Sequence, residues 1–525
     1  MRRSWAASGD PSRLALVIGN SAYRDGPLIN PGNDARAMAG LFGQAGFTLE
    51  SRLDATRADM IAAIERFGGA IRRPETKLVV FYYAGHGVQL DWRNYLLPVD
   101  AEVDMADQLR QRCVDLGLLL SQLGAAKDKT FIIILDACRN NPFGNAYRPE
   151  QKGLAQFDAP VGSLIAYATA PGNVASDGSG KNGLYTENLV RELSVRGTRI
   201  EDALKRVRLN VRLTSRGAQI PWETTSLESD VFLFNDGQKK LSDAELEKQV
   251  EADLAAWIRI KTSRKVDDWV GYLHNFPNGR FAEIAQMRLA SLLAETEKPA
   301  TVSAAPSAPT PVVAPAAVAP AIELMAGAQA PQLLQPSVNP YSAGFYPLGR
   351  KYMVGDYAIF RQSDILTGVE QRIYTQRVTR IDQEADRVEI NGGRAIWDLM
   401  GNAIKSGDKE FDAPQQFTPA GFQVGKKWTA TFIRTRDGLA ATIYYDLQIV
   451  RREKVSVPAG VFDAFRIEGQ GWNRTAGKHL EMTLWLVPGL NFQVKRETVN
   501  HNRKGRLKDS ERHELVSLRQ RAIGT

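Results

Sequence analysis

Four short, uninterrupted apolar runs in the first half of the chain constrain its fold more than any other feature. They span residues 14–18, 78–84, 131–135 and 163–168. Strands that are covered on both faces need apolar side chains on both sides, so continuous runs indicate buried parallel strands. Helical patterns separate these runs. The alternation of strand and helix predicts a doubly wound, mostly parallel α/β sheet over residues 13–235.

Polar residues that precede apolar stripes mark where helices should begin in this region. Asn33 or Asp34, Thr56 and Thr186 each stand before a stripe with helical spacing. Their side-chain oxygens can accept hydrogen bonds from the first N–H groups of a helix, which predicts helix caps at these positions. Residues 116–123 predict a further helix.

Three further segments follow the α/β region. Residues 241–297 carry apolar stripes at helical spacing and predict a helical spacer, which resembles a tetratricopeptide-like hairpin. Residues 298–340 are rich in Pro and Ala, which predicts an extended, semi-rigid linker. Residues 341–520 alternate apolar and polar residues between glycine turns. This pattern predicts an all-β domain, either a sandwich or an open barrel, of unknown function.

The β-rich domain shows no catalytic constellation in its sequence. Its tryptophans are predicted to fill the core, with a platform for ligand stacking as the alternative: Trp397, Trp428, Trp472 and Trp485. The chain's net charge of +8 lies from residue 338 onward. Because the basic residues there are mostly spread out, a solvated basic face is favoured over a nucleic-acid partner.

Composition excludes several classes of protein. The chain has 525 residues with 43% apolar residues, enough for about three domains with buried cores. Only two cysteines are present, Cys113 and Cys138, which excludes a disulfide scaffold and a cysteine-rich zinc module. No two of the five histidines have metal-ligand spacing along the sequence, so no metal site is predicted. The longest uncharged stretches are rich in Pro and Ala, so no transmembrane helix is expected.

Two hypotheses about location remain open at this point. The amino terminus has basic residues but no apolar segment, so the sequence as given predicts no signal peptide and a cytoplasmic protein. The Pro/Ala linker and the β-rich domain fit an exported or periplasmic protein better. A true start further upstream would reconcile the two.

Two strand ends carry the candidate chemistry. One is Tyr83-Ala84-Gly85-His86-Gly87 and the other is Asp136-Ala137-Cys138-Arg139. Ligands bind open parallel sheets at the carboxyl ends of the strands, so neighbouring strands would bring His86 and Cys138 together. An imidazole beside a thiol can activate it as a nucleophile. Taken singly, each residue has a structural explanation, a turn or a small buried hydrophobe.

Residues 13–235 resemble the caspase-like clan CD cysteine peptidases of the peptidase C14 family, in particular the bacterial caspase-homologue and metacaspase group. The resemblance rests on both strand ends, on the first strand followed by Tyr23, and on residues 219–223. The 52 residues from His86 to Cys138 are close to the spacing of about 50 in caspases. The resemblance implies a thiol endopeptidase that acts on a protein or peptide.

The resemblance also implies roles for individual residues. Cys138 would attack the scissile carbonyl carbon, and His86 would transfer the proton to the leaving amine. Backbone N–H groups near Gly87 and Cys138 would form the oxyanion hole.

Acidic residues at two positions imply a preference for basic substrates. Metacaspases cleave after Arg or Lys and use pocket acids that match Asp34 and Asp136 of this sequence. A carboxylate and a guanidinium form a strong bidentate contact, so we expect cleavage after Arg or Lys. The alternative for Asp34 is a helix cap, and for Asp136 a turn-forming residue.

Calcium is the usual activator of metacaspases. Asp100 and Asp115 match acids of such a site, but Asn145 stands where a further acid would be expected. A calcium site needs six to eight oxygen ligands, so a tight site is not expected. No other cofactor is implied.

Self-cleavage and a disulfide are further possibilities. Arg148 and Lys152 lie in the loop after Cys138 and suit processing by an enzyme of basic specificity, with incidental surface charge as the alternative. Cys113 is predicted to be structural, although a Cys113–Cys138 bridge is left open.

A different class of function remains as a rival hypothesis. The caspase-like fold would then be a non-proteolytic scaffold, or the protein would act by binding through the β-rich domain. Residues 241–297 and 341–520 are the candidate regions for a protein or envelope partner.

Overall fold

The computed structural model describes residues 9–124, 126, 128–137, 154–170, 180–234, 243–296, 322–324 and 339–521. The chain divides into two compact units. The first unit comprises Met1–Leu241 with Ser337–Gly344, and the second comprises Ser242–Pro336 with Phe345–Thr525.

The described residues of the first unit contain nine strands, which form a large and a small sheet. They are β1 (Asp10–Gly19), β2 (Phe47–Leu53), β3 (Leu78–Ala84), β4 (Gly87–Leu90), β5 (Arg93–Leu96), β6 (Val114–Asp115), β7 (Thr130–Asp136), β8 (Ser163–Tyr167) and β9 (Trp222–Thr225). The large sheet has the order β2-β1-β3-β7-β8-β9, and only β9 is antiparallel to its neighbour. Strands β4, β5 and β6 form the small antiparallel sheet.

Six helices accompany these sheets among the described residues. They are α1 (Pro31–Gln44), α2 (Arg57–Ile71), α3 (Ala106–Arg112), α4 (Leu116–Gly124), α5 (Leu184–Leu193) and α6 (Ile200–Thr214). The mostly parallel sheet with its helices confirms the predicted α/β class.

The four apolar runs of the sequence are the central strands β1, β3, β7 and β8, as predicted. Their side chains are almost entirely buried, because neighbouring strands and helices cover the sheet. The edge strands β2 and β9 were not predicted. Both have polar side chains and only partial burial, so they lack the continuous apolar signal of a central strand.

The predicted helix starts are correct at one of three positions. Thr56 caps α2 and forms a capping box with the third helical residue. Helix α1 begins earlier, at Pro31, and α5 begins at Leu184. Asp34 and Thr186 therefore lie inside the first turns of these helices, so the cap interpretation is wrong for both. Their side chains bond to residues elsewhere in the fold.

The second unit begins with three helices, α7 (Asp243–Ile260), α8 (Val266–Asn275) and α9 (Ala282–Thr296). Trp257 stacks on Phe281 with ring centroids 4.5 Å apart, and Trp269 is fully buried. Arg280, just before α9, donates to the Thr431 carbonyl and to both carboxylate oxygens of Asp412. The helices and the β-rich region therefore share polar contacts. None of the described helices combines the length and the apolar character needed to span a membrane.

The strands described in the second unit are antiparallel and range from two to nineteen residues in length. They are β10 (Ile322–Leu324), β11 (Tyr346–Pro347), β12 (Tyr357–Asp364), β13 (Glu370–Asp382), β14 (Arg387–Ile390), β15 (Ala395–Trp397), β16 (Ala403–Ser406), β17 (Lys409–Phe411), β18 (Gly421–Phe422), β19 (Lys427–Arg436), β20 (Leu439–Val457), β21 (Gly460–Asn473), β22 (Lys478–Leu486), β23 (Lys495–His501) and β24 (Leu507–Gln520).

Twelve of these strands close into an all-β barrel. Their order is β24-β12-β13-β14-β15-β16-β17-β19-β20-β21-β22-β23, and β23 pairs again with β24. The predicted all-β class is confirmed, but the strands form neither a sandwich nor an open barrel. The closing strand β24 was not predicted, because its sequence is rich in charged residues and its burial is irregular.

The segment predicted to be a linker contains ordered parts. Its strand β10 pairs with residues 518–520 of β24. Further on, Asn339 Nδ2 donates to the Gln156 carbonyl, and Ser342 Oγ donates to Asp158. Residues 337–344 accordingly belong to the first unit.

Three of the four tryptophans predicted to fill the core of the β-rich domain are at least partly buried. Trp428 and Trp485 are buried, and Trp397 is half-buried. Trp472 is 53% exposed, so the core prediction is wrong for this residue. Its neighbours Gly471 and Asn473 on β21 point to the buried face, and the alternation of a strand then places Trp472 on the outer face.

Candidate functional site

The two strand ends singled out in the sequence belong to adjacent strands. Strands β3 and β7 pair in parallel, with Ala84 opposite Asp136. The Gly85 N–H donates to the Asp136 carbonyl at 3.3 Å. Both chains therefore leave the sheet at the same edge, where ligands of open parallel sheets bind.

The chain after His86 passes directly beside the chain that leads to Cys138. A Cβ atom placed on Gly87 would lie 3.2 Å from the Ala137 Cβ and 2.9 Å from a Leu154 methyl group. The tight fit explains why a glycine follows the histidine. Cys138 itself lies outside the described residues.

The His86 ring is buried and oriented by a backbone carbonyl. Its Nε2 lies 2.7 Å from the Gly26 carbonyl oxygen. Because a carbonyl can only accept, Nε2 carries the proton of the neutral ring, and Nδ1 is the nitrogen with the lone pair. A ring in this tautomer can take a proton at Nδ1.

Two tyrosines hold the His86 backbone. The His86 N–H donates to the Tyr23 hydroxyl at 2.9 Å, and the Tyr83 hydroxyl donates to the His86 carbonyl at 2.8 Å. The Tyr23 ring also packs against the imidazole, with centroids 4.5 Å apart. Burial raises the pKa of the Tyr83 hydroxyl well above its ordinary value, so this group remains a donor.

Gly85 is required by its backbone conformation and by these hydroxyls. Its φ is 154°, and a Cβ there would lie 2.5 Å from the Tyr23 oxygen and 2.7 Å from the Tyr83 oxygen. Any side chain would displace the network that positions His86.

Both predicted pocket acids are buried. Asp136 Oδ2 accepts a hydrogen bond from the Thr186 hydroxyl at 2.7 Å. Asp34 Oδ1 accepts from Asn182 Nδ2 and from the Gly183 N–H, each at 2.9 Å. These contacts replace the cap interpretation of Asp34 and the turn interpretation of Asp136.

The two acids meet at one element. Residues 182–186, which contact both carboxylates, form the turn that opens α5. The N–H groups and the positive end of the helix dipole favour negative charge at such a turn. The fold thus gathers two acids that are about a hundred residues apart in the sequence.

The acids considered for calcium already have protein partners. Asp100 accepts from the Arg57 N–H at 2.9 Å. Asp115 pairs with Arg93 at 2.7 Å and accepts from the Gly117 N–H. Asn145 and the self-cleavage candidates Arg148 and Lys152 lie outside the described residues.

Cys113 is a free thiol, so it does not form the bridge to Cys138 that the sequence left open. It packs in a small apolar cluster and is only 1% exposed. Burial raises the pKa of this thiol to about 12, which keeps it protonated near neutral pH. A protonated, buried thiol is a poor nucleophile.

Several groups that shape the site were not predicted as functional. Tyr23, Tyr83, the Gly26 carbonyl and Thr186 all act through contacts made across the fold. Tyr23 was noted only as part of the resemblance. No spacing rule in the sequence connects Gly26 with His86, because a backbone carbonyl leaves no residue signature.

A group able to hold a metal lies in the second unit. His479, Glu481 and His501 have ligand atoms that all lie within 4.8 Å of one another. They lie in the barrel, in a different unit from His86.

Comparisons with known proteins find similar sequences for the first unit. Residues 12–232 match the family model of the peptidase C14 caspase domain. The chain is 27% identical over 161 residues to the human (Homo sapiens) mucosa-associated lymphoid tissue lymphoma translocation protein 1. The aligned segment is 30% of this chain and 19% of that protein. It is 20% identical over 243 residues to Caspase-1 of Mus musculus, covering 42% of this chain and 60% of that protein.

The chain spans less than two thirds of either of these relatives. Among solved structures, the Drosophila initiator caspase Dronc is similar, with 15% identity and a TM-score of 0.32, over 44% of this chain and 88% of that chain. The family match covers the six-stranded sheet and both strand ends described above. Residues 12–232 are therefore a caspase-like domain of the clan CD peptidases.

Proposed function

We propose that this protein is a cysteine endopeptidase in which Cys138 is the nucleophile and His86 transfers the proton. One observation carries the proposal. His86 is buried, and its Nε2–H donates to the Gly26 carbonyl. Gly87, the residue after His86, packs against Ala137. The residue after Ala137 is the thiol.

The chemistry follows from the tautomer of His86. Nδ1 takes the thiol proton, and the thiolate of Cys138 attacks the scissile carbonyl carbon. The resulting imidazolium keeps its Nε2–H on the Gly26 carbonyl and gives the Nδ1 proton to the leaving amine. Water then hydrolyses the thioester, with His86 as the base.

The oxyanion of each tetrahedral intermediate needs backbone donors. The N–H groups of Gly87 and Cys138 are the proposed donors. The close packing of Gly87 on Ala137 supports this proposal, because it holds the two backbones side by side.

The substrate pocket is proposed to bind Arg or Lys through Asp34 and Asp136. Both carboxylates are buried at the start of α5, and a buried acid gains most from a guanidinium that replaces its lost hydration. Cleavage after Arg should therefore exceed cleavage after Lys, since only Arg can bond in a bidentate manner.

The test uses the full-length protein with matched thiol variants, Cys138→Ala and Cys113→Ala. Each is assayed on peptides that end in Arg, Lys or Asp, with and without calcium. We expect cleavage after Arg and Lys that persists in Cys113→Ala and is lost in Cys138→Ala. Undiminished cleavage by Cys138→Ala would refute the assignment of the nucleophile.

Other outcomes separate the parts of the proposal. Cleavage only after Asp would retain the peptidase and refute the pocket. Absence of cleavage in every condition would favour the non-proteolytic scaffold. Intact mass measured during incubation would show whether the chain is cut after Arg148 or Lys152, and the calcium arm would show whether the ion is needed.

A further inference from the structure

We propose that the barrel binds a divalent transition-metal ion, with Zn²⁺ as the best-matched ion, through His479, Glu481 and His501. Two imidazoles and one carboxylate are the donor set that suits zinc, whereas magnesium and calcium prefer oxygen ligands alone. The proposal concerns the second unit and does not depend on the proteolytic function of the first.

Strand pairing brings the three side chains together. His479 on β22 lies directly opposite His501 on β23. Glu481 is two residues after His479, so its side chain lies on the same face of the sheet. Antiparallel pairing holds these positions in register without any contribution from a loop.

The distances already approach those of a bound ion. His479 Nδ1 lies 3.4 Å from Glu481 Oε1, and His501 Nδ1 lies 3.9 Å from the same oxygen. Ligands about 2.0–2.1 Å from a tetrahedral zinc are about 3.3 Å apart. Small rotations of the side chains would therefore complete the site.

His501 supplies a second, independent observation. Its Nδ1 is buried and makes no hydrogen bond among the described residues. A buried polar atom without a hydrogen bond is costly, and a water or an ion usually explains one. A metal bound to neutral imidazoles would satisfy all three groups.

The nearby positive charge lies on the other face of the sheet. Lys478 precedes His479 on β22, so its side chain points away from the three ligands. Lys508 lies against Lys478. The two ammonium groups repel each other on that face rather than facing the ligands.

Trp472 borders the site on the outer face. It pairs with His479 across β21 and β22, and the two rings lie 4.9 Å apart. The exposed indole shields one side of the imidazole, and three protein ligands leave a fourth position for water. This neighbour also provides a local optical probe of binding.

The first experiment is calorimetric titration with ZnCl₂ of the full-length protein carrying Cys138→Ala, so that the thiol does not compete for zinc. We expect one ion per chain. His479→Ala and His501→Ala should each weaken binding more than about 100-fold, since even a residue behind a ligand contributes 10–100-fold. His274→Ala is the matched control, because this histidine is exposed on α8, and it should leave binding unchanged.

A second measurement locates the ion. Co²⁺ should quench tryptophan fluorescence and give visible absorption bands of a tetrahedral complex. The quenching should shrink in Trp472→Phe while the absorption bands remain. Glu481→Gln, which preserves the shape of the side chain, should weaken Co²⁺ binding as well.

Two results would overturn the proposal. One is the absence of Zn²⁺ binding up to millimolar concentration. The other is equal binding by the variant that combines His479→Gln and His501→Gln, whose fold is checked by circular dichroism. Glutamine keeps the positions polar, so a loss of binding in a folded double variant would reflect the missing ligands.

Discussion

The first unit and the second unit bring reactive side chains together through opposite kinds of strand pairing. In the first unit, parallel strands β3 and β7 end at one edge, and His86 and Ala137 follow them. In the second unit, antiparallel strands β22 and β23 place His479 and His501 on one face as a cross-strand pair. The first arrangement uses the ends of strands, and the second uses their faces.

The difference shows which reactive residues can be recognised from the sequence pattern. A buried parallel strand is a continuous apolar run, so the first polar residue after it is conspicuous. A half-exposed barrel strand has polar residues at every second position. His479 and His501 therefore look like ordinary outer-face residues, while His86 stands out.

The largest expected effect tests the strand-end arrangement. His86→Ala should lower kcat/KM on an Arg peptide by about 1000-fold, because general acid–base catalysis contributes about 10²–10⁴-fold. If His86 and Cys138 act as one unit, adding Cys138→Ala should cause little further loss.

Steady-state kinetics on the purified variants measures this effect, with His274→Ala as the control histidine variant. Independent, multiplying losses from the two substitutions would contradict the dyad and would weaken the comparison between the units.

The next effect tests how the barrel depends on a buried charge. Arg280→Ala should lower the free energy of unfolding of the second unit by about 3 kcal/mol, because it removes a buried guanidinium that donates to both carboxylate oxygens of Asp412 and to the Thr431 carbonyl. Arg436→Ala removes an exposed pair with Asp408 and should cost less than about 1 kcal/mol.

Urea unfolding of the two variants, followed by circular dichroism, makes this measurement. Equal losses would show that burial of the Arg280 ion pair does not matter. They would also remove the expected difference between the Arg280–Asp412 pair and the exposed Arg436–Asp408 pair.

Substitution of the two proposed pocket acids should change activity by about 100-fold. Asp136→Asn and Asp34→Asn should each lower kcat/KM for Arg peptides to that extent. Each substitution removes a buried carboxylate, and the loss of its interaction with a bound guanidinium weakens binding by a few kcal/mol. Neither should affect Zn²⁺ binding, since both acids lie in the first unit.

Kinetics on paired Arg and neutral peptides distinguishes specificity from a structural defect. A loss of the same size on every peptide would show that the carboxylates support the fold rather than the pocket.

The effect that is smallest per pH unit concerns the barrel. Burial, with help from the charge of Asp386, raises the pKa of Asp398 from 3.8 to about 7. The folded state then keeps a proton that the unfolded state releases, so the free energy of unfolding should fall as pH rises from about 4 to about 7. The slope for one proton is about 1.4 kcal/mol per pH unit at most.

Urea unfolding at several pH values tests this effect by comparing the wild type with Asp398→Asn. The variant should lose the downward slope over this range, since its amide does not ionise. An unchanged slope in Asp398→Asn would assign the pH dependence to another group.

Much of the first unit could be predicted from the sequence. The runs that became β1, β3, β7 and β8 were recognisable, as was the cap at Thr56, because burial and capping depend on neighbouring residues. The strand ends at His86 and Asp136 followed from the same local signal. The roles of Thr186 and Tyr23 did not, because their partners lie far along the chain.

For the second unit, the sequence predicted the class of secondary structure but not how the strands pair. Its all-β character followed from alternation and glycine turns, but closure by β24 and the exposure of Trp472 did not. The alternation of apolar and polar residues along a strand indicates that the strand has two different faces. It does not report which face is inner, because that depends on the pairing partners.

The sequence by itself determined the α/β class of residues 13–235, the all-β class of the carboxyl-terminal region, and the polar residues that end the central strands. Only the tertiary structure decided that Asp34 and Asp136 both bond to residues at the amino-terminal end of α5. It also decided that His479 pairs across the strands with His501, which lies 22 residues further along the sequence. The physical reason is range. Burial and turn formation depend on residues that are adjacent in the sequence. Strand register and helix docking depend on contacts between segments that are far apart in the sequence.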